Sequence, residues 1–361
     1  MQKNNEITGW QLFFLIIQTQ IGVGVLSLPK DVSVEAGRDA WISLIIAGIA
    51  VQLVLFVFLW FLMRAGEISY FDIIIQSFGK VAGKLFVCFY IIYFIYILTV
   101  SSITFTKILA EWIYMDTPRE LLTMLFLLPA AYCAGSKISH VARFSMIVSV
   151  LLPVMILLLI PVYSSPEFIH FFPIGSEGSS AILKGLKASI LAYIGFEAFL
   201  YFSKYVKSNR QKELKKAAFS TSFVLLFYLF LIVSTQLYFH LEEIVVVPYA
   251  VLYILKSLSF IIVERIDLIF LTIWIVVALT SFINYLFIAA EETKILFKLK
   301  DSHWAIAFMI TIVFTVSIFI DEKQSIIQLQ SFVTYAAAVF TIIIPLAALI
   351  IYLIFRKGHT T

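Results

Sequence analysis

The sequence predicts an all-α polytopic membrane protein of ten transmembrane helices, built as a five-plus-five inverted repeat in which helices 1 and 6 are broken. Three observations predict it. Of the 361 residues, 62% are hydrophobic and 13% charged, and the mean hydropathy is +1.02; a soluble domain is nearer half apolar and a quarter charged. Ten apolar runs approach the about 20 residues that a span requires. Two of these runs are interrupted by glycine, at Gly22 and, 173 positions later, at Gly195.

The runs are 9–29, 40–63, 84–107, 119–135, 143–163, 182–205, 216–239, 265–290, 304–320 and 329–355. The first holds Gln20-Ile-Gly-Val-Gly-Val-Leu-Ser-Leu-Pro29, with Gly22, Gly24, Ser27 and Pro29 where an ordinary span has Leu and Phe. Glycine weakens a helix by about 1 kcal/mol and proline removes a hydrogen bond. Lipid cannot satisfy the freed backbone groups, so a break at membrane depth survives where it lines a cavity or a ligand. The second half of the break is expected to end near Pro29. After span two, residues 66–79 read as a short amphipathic helix on the inner face. Span three carries Thr99, Ser101, Ser102 and Thr104 in its outer half. Span four is short, bounded by Asp116-Thr-Pro118 and Gly135-Ser136.

Span five leads to an outer loop, 164–181, with two prolines and Gly175 and Gly178. Span six contains the second break, Ala192-Tyr-Ile-Gly-Phe-Glu-Ala198. Residues 241–264 are too long and apolar for a plain loop, and suggest helical pieces across the outer face. Span eight places Thr280, Ser281 and Asn284 midway, with Thr280 and Asn284 one turn apart on one face. Five is an odd number, so the two repeats, 1–163 and 182–361, must lie inverted in the membrane. Gly-interrupted spans in corresponding positions of two halves point to a binding site between them.

Orientation follows from the basic residues. With the N-terminus inside, inner segments hold 17 of the 26 Lys and Arg, six of them in 204–216. The positive-inside rule then puts both termini in the cytoplasm. The net charge of +4 is no nucleic-acid signal in such a protein. The N-terminal Met-Gln-Lys-Asn-Asn-Glu runs straight into a full-length span, so no cleavable leader is expected. Cys88 and Cys133 fall inside apolar runs and suggest neither disulfide nor metal. The five histidines (140, 170, 240, 303, 359) lie in loops or near span ends, none paired with Cys, Asp or Glu at metal-ligand spacing. No nucleophile-plus-base set occurs within the spans, which argues against an enzyme. No cofactor is expected.

Gly22-Val23-Gly24 is the leading site. Unwinding there exposes the N-terminus of the following half-helix, which attracts a carboxylate, and frees carbonyls for an ammonium or a cation. Packing between helices is the plainer use of such glycines. Glu197 is the one acid near the middle of a span. Its carboxyl could contact a substrate amine, carry a proton, pair with Lys187, or bond the broken backbone beside it. The hydroxyls of spans three and eight are cavity-lining candidates as groups, although single Ser and Thr residues usually bond back to their own helix.

Ile21-Gly-Val-Gly-Val-Leu-Ser-Leu-Pro29 resembles the G-x-G-hydrophobic-L-x-L-P signature of amino acid/polyamine/organocation permeases. Length, ten spans, Gly195-Phe-Glu197 and Val-Ala-Arg143-Phe are similar to the spore germination receptor B subunits of that superfamily. The resemblance implies a LeuT-like fold in the spore inner membrane, recognition of a small germinant, commonly an L-amino acid, and work beside an A-type membrane subunit and a C-type lipoprotein. Carried over by position, it implies a pocket of Gly22, Val23 and Gly24, Ile194, Gly195, Phe196 and Glu197, Ser101, and Thr280, with Asn284 beside it. Thr280 and Ser281 could serve a sodium site. Proton or sodium coupling stays open, as does secondary transport in place of sensing. The many phenylalanines and few glycines favour a compact ligand such as Ala or Val.

Overall fold

The structure, a computed structural model, describes residues 6–258, 264–320 and 323–357. Its regular elements are all helices, with no strand among the described residues. Among the described residues six stretches are long and apolar enough to cross a membrane: Leu28–Ala65, Lys80–Trp112, Ile138–Ser164, Arg210–Tyr238, Ile266–Phe297 and Phe332–Ile354. The other expected spans are shorter or interrupted. Run 119–135 is the 16-residue helix Arg119–Ala134, and run 304–320 the 17-residue His303–Phe319. Runs 9–29 and 182–205 are each two helices with a non-helical joint.

The chain opens with α1 (Gly9–Gln20), started by a capping box in which Thr8 Oγ1 accepts the Gln11 N–H and Gln11 Oε1 accepts the Thr8 N–H. After the joint comes α2 (Leu28–Ala36), and a tight corner at Gly37, φ +57°, leads into α3 (Ala40–Ala65). The second half of the first broken helix therefore begins at Leu28 and runs to Ala36, correcting the expectation that it ends near Pro29. Proline sits in the first turn of α2, where its missing N–H would have had no intrahelical partner anyway.

Ile46, Ile49, Leu53, Val57 and Trp60 form an exposed stripe along one face of α3. Arg64 lies 3.8 Å over the Trp60 ring at the end of that stripe. An apolar face of this extent suits lipid, and the Trp–Arg pair suits its boundary. The expected inner amphipathic helix is α4 (Tyr70–Phe78), whose apolar face (Tyr70, Phe71, Ile73, Ile74) is buried within the protein, with Ser77 donating to the Ala348 carbonyl. Helices α5 (Lys80–Trp112), α6 (Arg119–Ala134), α7 (Ile138–Ser149) and α8 (Leu151–Leu159) follow.

The later part comprises α9 (Gly178–Ala192), α10 (Ala198–Phe202), α11 (Arg210–Ala217) and α12 (Ser220–Tyr238). Then come the short α13 (Leu241–Val246) and α14 (Ala250–Ser257), α15 (Ile266–Phe297), α16 (His303–Phe319), α17 (Lys323–Ala337) and, past a π turn, α18 (Ile344–Lys357). The expected outer segment 241–264 thus contains two helices, and its residues 259–263 lie outside the described ones. At the centre is α1, in contact with α7, α11, α12 and α15. Its last turn buries Ile17, Gln18, Thr19 and Gln20, so three polar side chains sit in the middle of the helical assembly.

Candidate functional site

The first joint is short. Ile21 leaves the helix at φ −83°, ψ 87°, Gly22 is extended, and Val23–Leu26 form one 3-10 turn before α2. The N–H groups of Val23 and Gly24 begin that turn and so have no intrahelical acceptor. A Cβ on Gly22 would come within 3.0 Å of Ser281 Oγ, whereas one on Gly24 would meet nothing within 4 Å.

The second joint, 193–197, is tightly enclosed. Gly195 has φ +115°, a conformation that side chains resist, and a Cβ there would lie 2.7 Å from the Gln20 nitrogen and the Thr19 carbonyl. The two joints therefore touch backbone to backbone. Glu197 is fully buried; its Oε2 accepts the Gly195 N–H at 2.8 Å and its Oε1 accepts the Tyr285 O–H at 2.9 Å. Phe196 stacks on Phe58 with ring centroids 6.0 Å apart. Lys187 is exposed and engages Tyr335, not Glu197.

Tyr228 of α12 ties the joints together. Its hydroxyl is 2.8 Å from the Gln20 carbonyl and 3.1 Å from the Ala192 carbonyl, the last residues of α1 and α9, and shares one proton between them. From α15, Ser281 donates to the Thr19 carbonyl at 3.0 Å, and Asn284 Nδ2 reaches Leu15 O and Thr19 Oγ1 at 3.3 and 3.0 Å. Asn284 also accepts from Ser145 of α7. Thr280 is buried and its hydroxyl returns to the Val276 carbonyl. Adjacent helix positions diverge, so Thr280 and Ser281 serve different neighbours.

Against these joints lies a cavity of about 420 Å³, within the range of small-molecule sites. Of the residues expected from sequence, Gly22, Val23, Gly24, Ser101, Ile194 and Ser281 line it. Gly195, Phe196, Glu197, Thr280 and Asn284 stand behind the wall, in the contacts just described. Sequence reasoning missed Gln20, Asp31, Tyr228 and Tyr285, which also line it. Tyr285 joins the two sets, since it borders the cavity and donates to Glu197. A phenol in the middle of an apolar run, as at Tyr228 and Tyr285, was the available signal.

A second cavity of about 610 Å³ shares Ser27, Asp31 and Thr104 with the first. Its walls carry Lys30, Lys107, Glu111, Arg119 and Glu120, and Val246 and Pro248 from the α13 region. Tyr249 at its edge donates to Glu111 at 3.2 Å; burial, then the adjacent Glu111 carboxylate, pushes its phenol up, so it keeps that proton. The cavity with charged walls thus adjoins a largely apolar one.

The model of the family described as spore germination protein matches residues 6–326. The chain is 22% identical over 321 residues to spore germination protein GerQB of Bacillus cereus, covering 89% of this chain and 88% of that protein. It is 26% identical over 369 residues to spore germination protein GerLB of the same species, covering 98% and 96%. Among solved structures it is similar to a substrate-bound, outward-open Na+-coupled sialic acid symporter, with TM-score 0.65 and 12% identity, covering 96% of this chain and 77% of that one. That likeness is one of fold.

Proposed function

Because the chain belongs to the spore germination protein family, we propose that it is a germinant-receptor subunit that binds a small L-amino acid in the cavity at the first joint and triggers germination with partner subunits. The observation that carries this reading is the cavity itself: about 420 Å³, lined by Val23 and Gly24, whose N–H groups begin the 3-10 turn, and by the start of α2. Those N–H groups and the helix dipole favour a carboxylate. The carbonyl ends of α1 and α9 close by favour an ammonium group. Ser101, Ser281, Tyr228 and Tyr285 supply further polar contacts, and Ile97, Val100 and Ile194 an apolar patch for a compact side chain.

In this reading the ten apolar segments form two inverted repeats, 1–163 and 182–361, in the spore inner membrane with both termini cytoplasmic. An A-type membrane subunit and a C-type lipoprotein receive the signal. The ligand acts by binding one arrangement of the joints more tightly than another, since equal affinity for both would shift nothing. Glu197 then holds the second joint in shape and orients Tyr285, without touching ligand.

The test is reconstitution of the chain alone in proteoliposomes with labelled L-amino acids. Saturable binding without concentrative uptake is expected. Concentrative uptake would replace the receptor reading with secondary transport, and absence of binding to any amino acid would remove the cavity from the argument.

A further inference from the structure

Away from the central cavity, the outer loop brings three metal-ligating side chains together. Glu167 precedes and His170 belongs to the single turn Phe168–Phe171, and His240 lies just before α13. The Glu167 N–H donates to the Leu237 carbonyl at 3.2 Å, which seats the loop on the end of α12. The donor atoms of Glu167, His170 and His240 all lie within 4.8 Å of one another, and the two imidazole centroids are 4.1 Å apart. The expectation concerned spacing along the chain, where no histidine pairs with Cys, Asp or Glu; the fold brings these three side chains together. His240 is 70 positions from His170 and reaches it only through the fold.

His170 carries the argument. Its side chain is 6% exposed, so its two nitrogens must be satisfied inside the protein. Nδ1 lies 3.1 Å from the Gln236 carbonyl, which can only accept, so Nδ1 holds the ring proton. Nε2 then presents a lone pair. Glu167 Oε2 stands 3.0 Å from it but outside hydrogen-bonding alignment, and Nε2 has no hydrogen-bond partner. One ring N–H fixed on a backbone carbonyl, with the other nitrogen bare and facing a carboxylate and a second imidazole, is how proteins hold a metal-bound histidine.

We propose that Glu167, His170 and His240 form a Zn²⁺ site on the outer face that clamps the loop to the corner leading into α13. Two imidazoles and one carboxylate, with water in the fourth position, make a tetrahedral zinc set. Such an N,N,O set excludes Mg²⁺ and Ca²⁺, which take oxygen ligands. Bonds of about 2 Å place tetrahedral donors roughly 3.3 Å apart, and rotation of the exposed Glu167 and His240 side chains closes the remaining distance. The far end of α13, at Val246, borders the cavity with charged walls. The ion therefore restrains the segment that frames the entrance.

The test uses the full chain in nanodiscs, with any affinity tag removed and chelator washed out. Zn²⁺ is titrated calorimetrically, with Co²⁺ absorption as a second readout. One Zn²⁺ per chain is expected, with affinity lowered at least about 100-fold in His170→Ala and His240→Ala, since losing even an outer-shell partner costs about 10–100-fold. His240→Gln alters an exposed side chain, so its loss of zinc affinity cannot be traced to misfolding. Hydrogen exchange in 164–177 and 240–248 should slow with Zn²⁺ in the native chain and not in that variant. No Zn²⁺ binding, binding that survives both histidine replacements, or equal binding of Mg²⁺ would overturn the site.

Discussion

The two joints interrupt apolar runs 173 positions apart and are built in opposite ways. At 21–27 the backbone is extended and then turns once, beside a cavity, with space around Gly24. At 193–197 the backbone is pressed on Thr19 and Gln20, and the Glu197 carboxylate is spent on Gly195 and Tyr285. At the first joint the Val23 and Gly24 N–H groups have no intrahelical acceptor, whereas at the second the Gly195 N–H is held by Glu197. A broken helix is thus not by itself a site. What matters is whether the surrounding helices fill the space next to it.

Replacing Gly195 with Ala should break this contrast most severely. The methyl group meets backbone at 2.7 Å and φ is +115°, so a loss of about 3 kcal/mol or more is expected, read as a fall in thermal unfolding temperature in detergent. Native-like melting would mean the second joint is not rigid. Next is Glu197→Gln, which keeps the shape but sets an amide NH₂ against one of two donors. It should cost about 1–3 kcal/mol. Lower amino acid affinity at unchanged stability would instead make Glu197 a ligand contact.

A smaller effect is expected for Tyr228→Phe, which leaves the Ala192 carbonyl without its hydroxyl donor and loosens both joints at once. About 1–2 kcal/mol should be lost, and denaturant unfolding would detect it. Gly24→Ala should do least to stability, within about 0.5 kcal/mol, because the methyl enters open space. Its effect should appear in equilibrium binding, as weaker affinity for an amino acid. Unchanged binding there would place the ligand elsewhere.

The first joint was legible because Gly22, Gly24, Ser27 and Pro29 crowd into eight residues that lipid-facing helices fill with bulk. Its exact boundaries were less so, since proline reads alike as a helix stop and as a first-turn residue. Glu197 was found as an anomaly of burial, but its partners were not: Gly195 is two residues away while Tyr285 lies 88 positions on. Thr280 and Asn284 were read as one helix face that could line a cavity; Asn284 instead bonds α1 and α7, and the Thr280 hydroxyl returns to its own helix.

Sequence alone determined that the chain is helical, belongs in a membrane and is interrupted twice, because hydropathy, glycine and proline act over a few residues and need no partner. Tertiary structure alone decided which interruption stays open. Which side chains fill the space beside each joint depends on contacts between residues far apart in the chain, among them Gly195 on Thr19, Tyr228 across both helix ends, and Tyr285 on Glu197. No local pattern encodes those distances, and they separate a joint that lines a cavity from one that is packed.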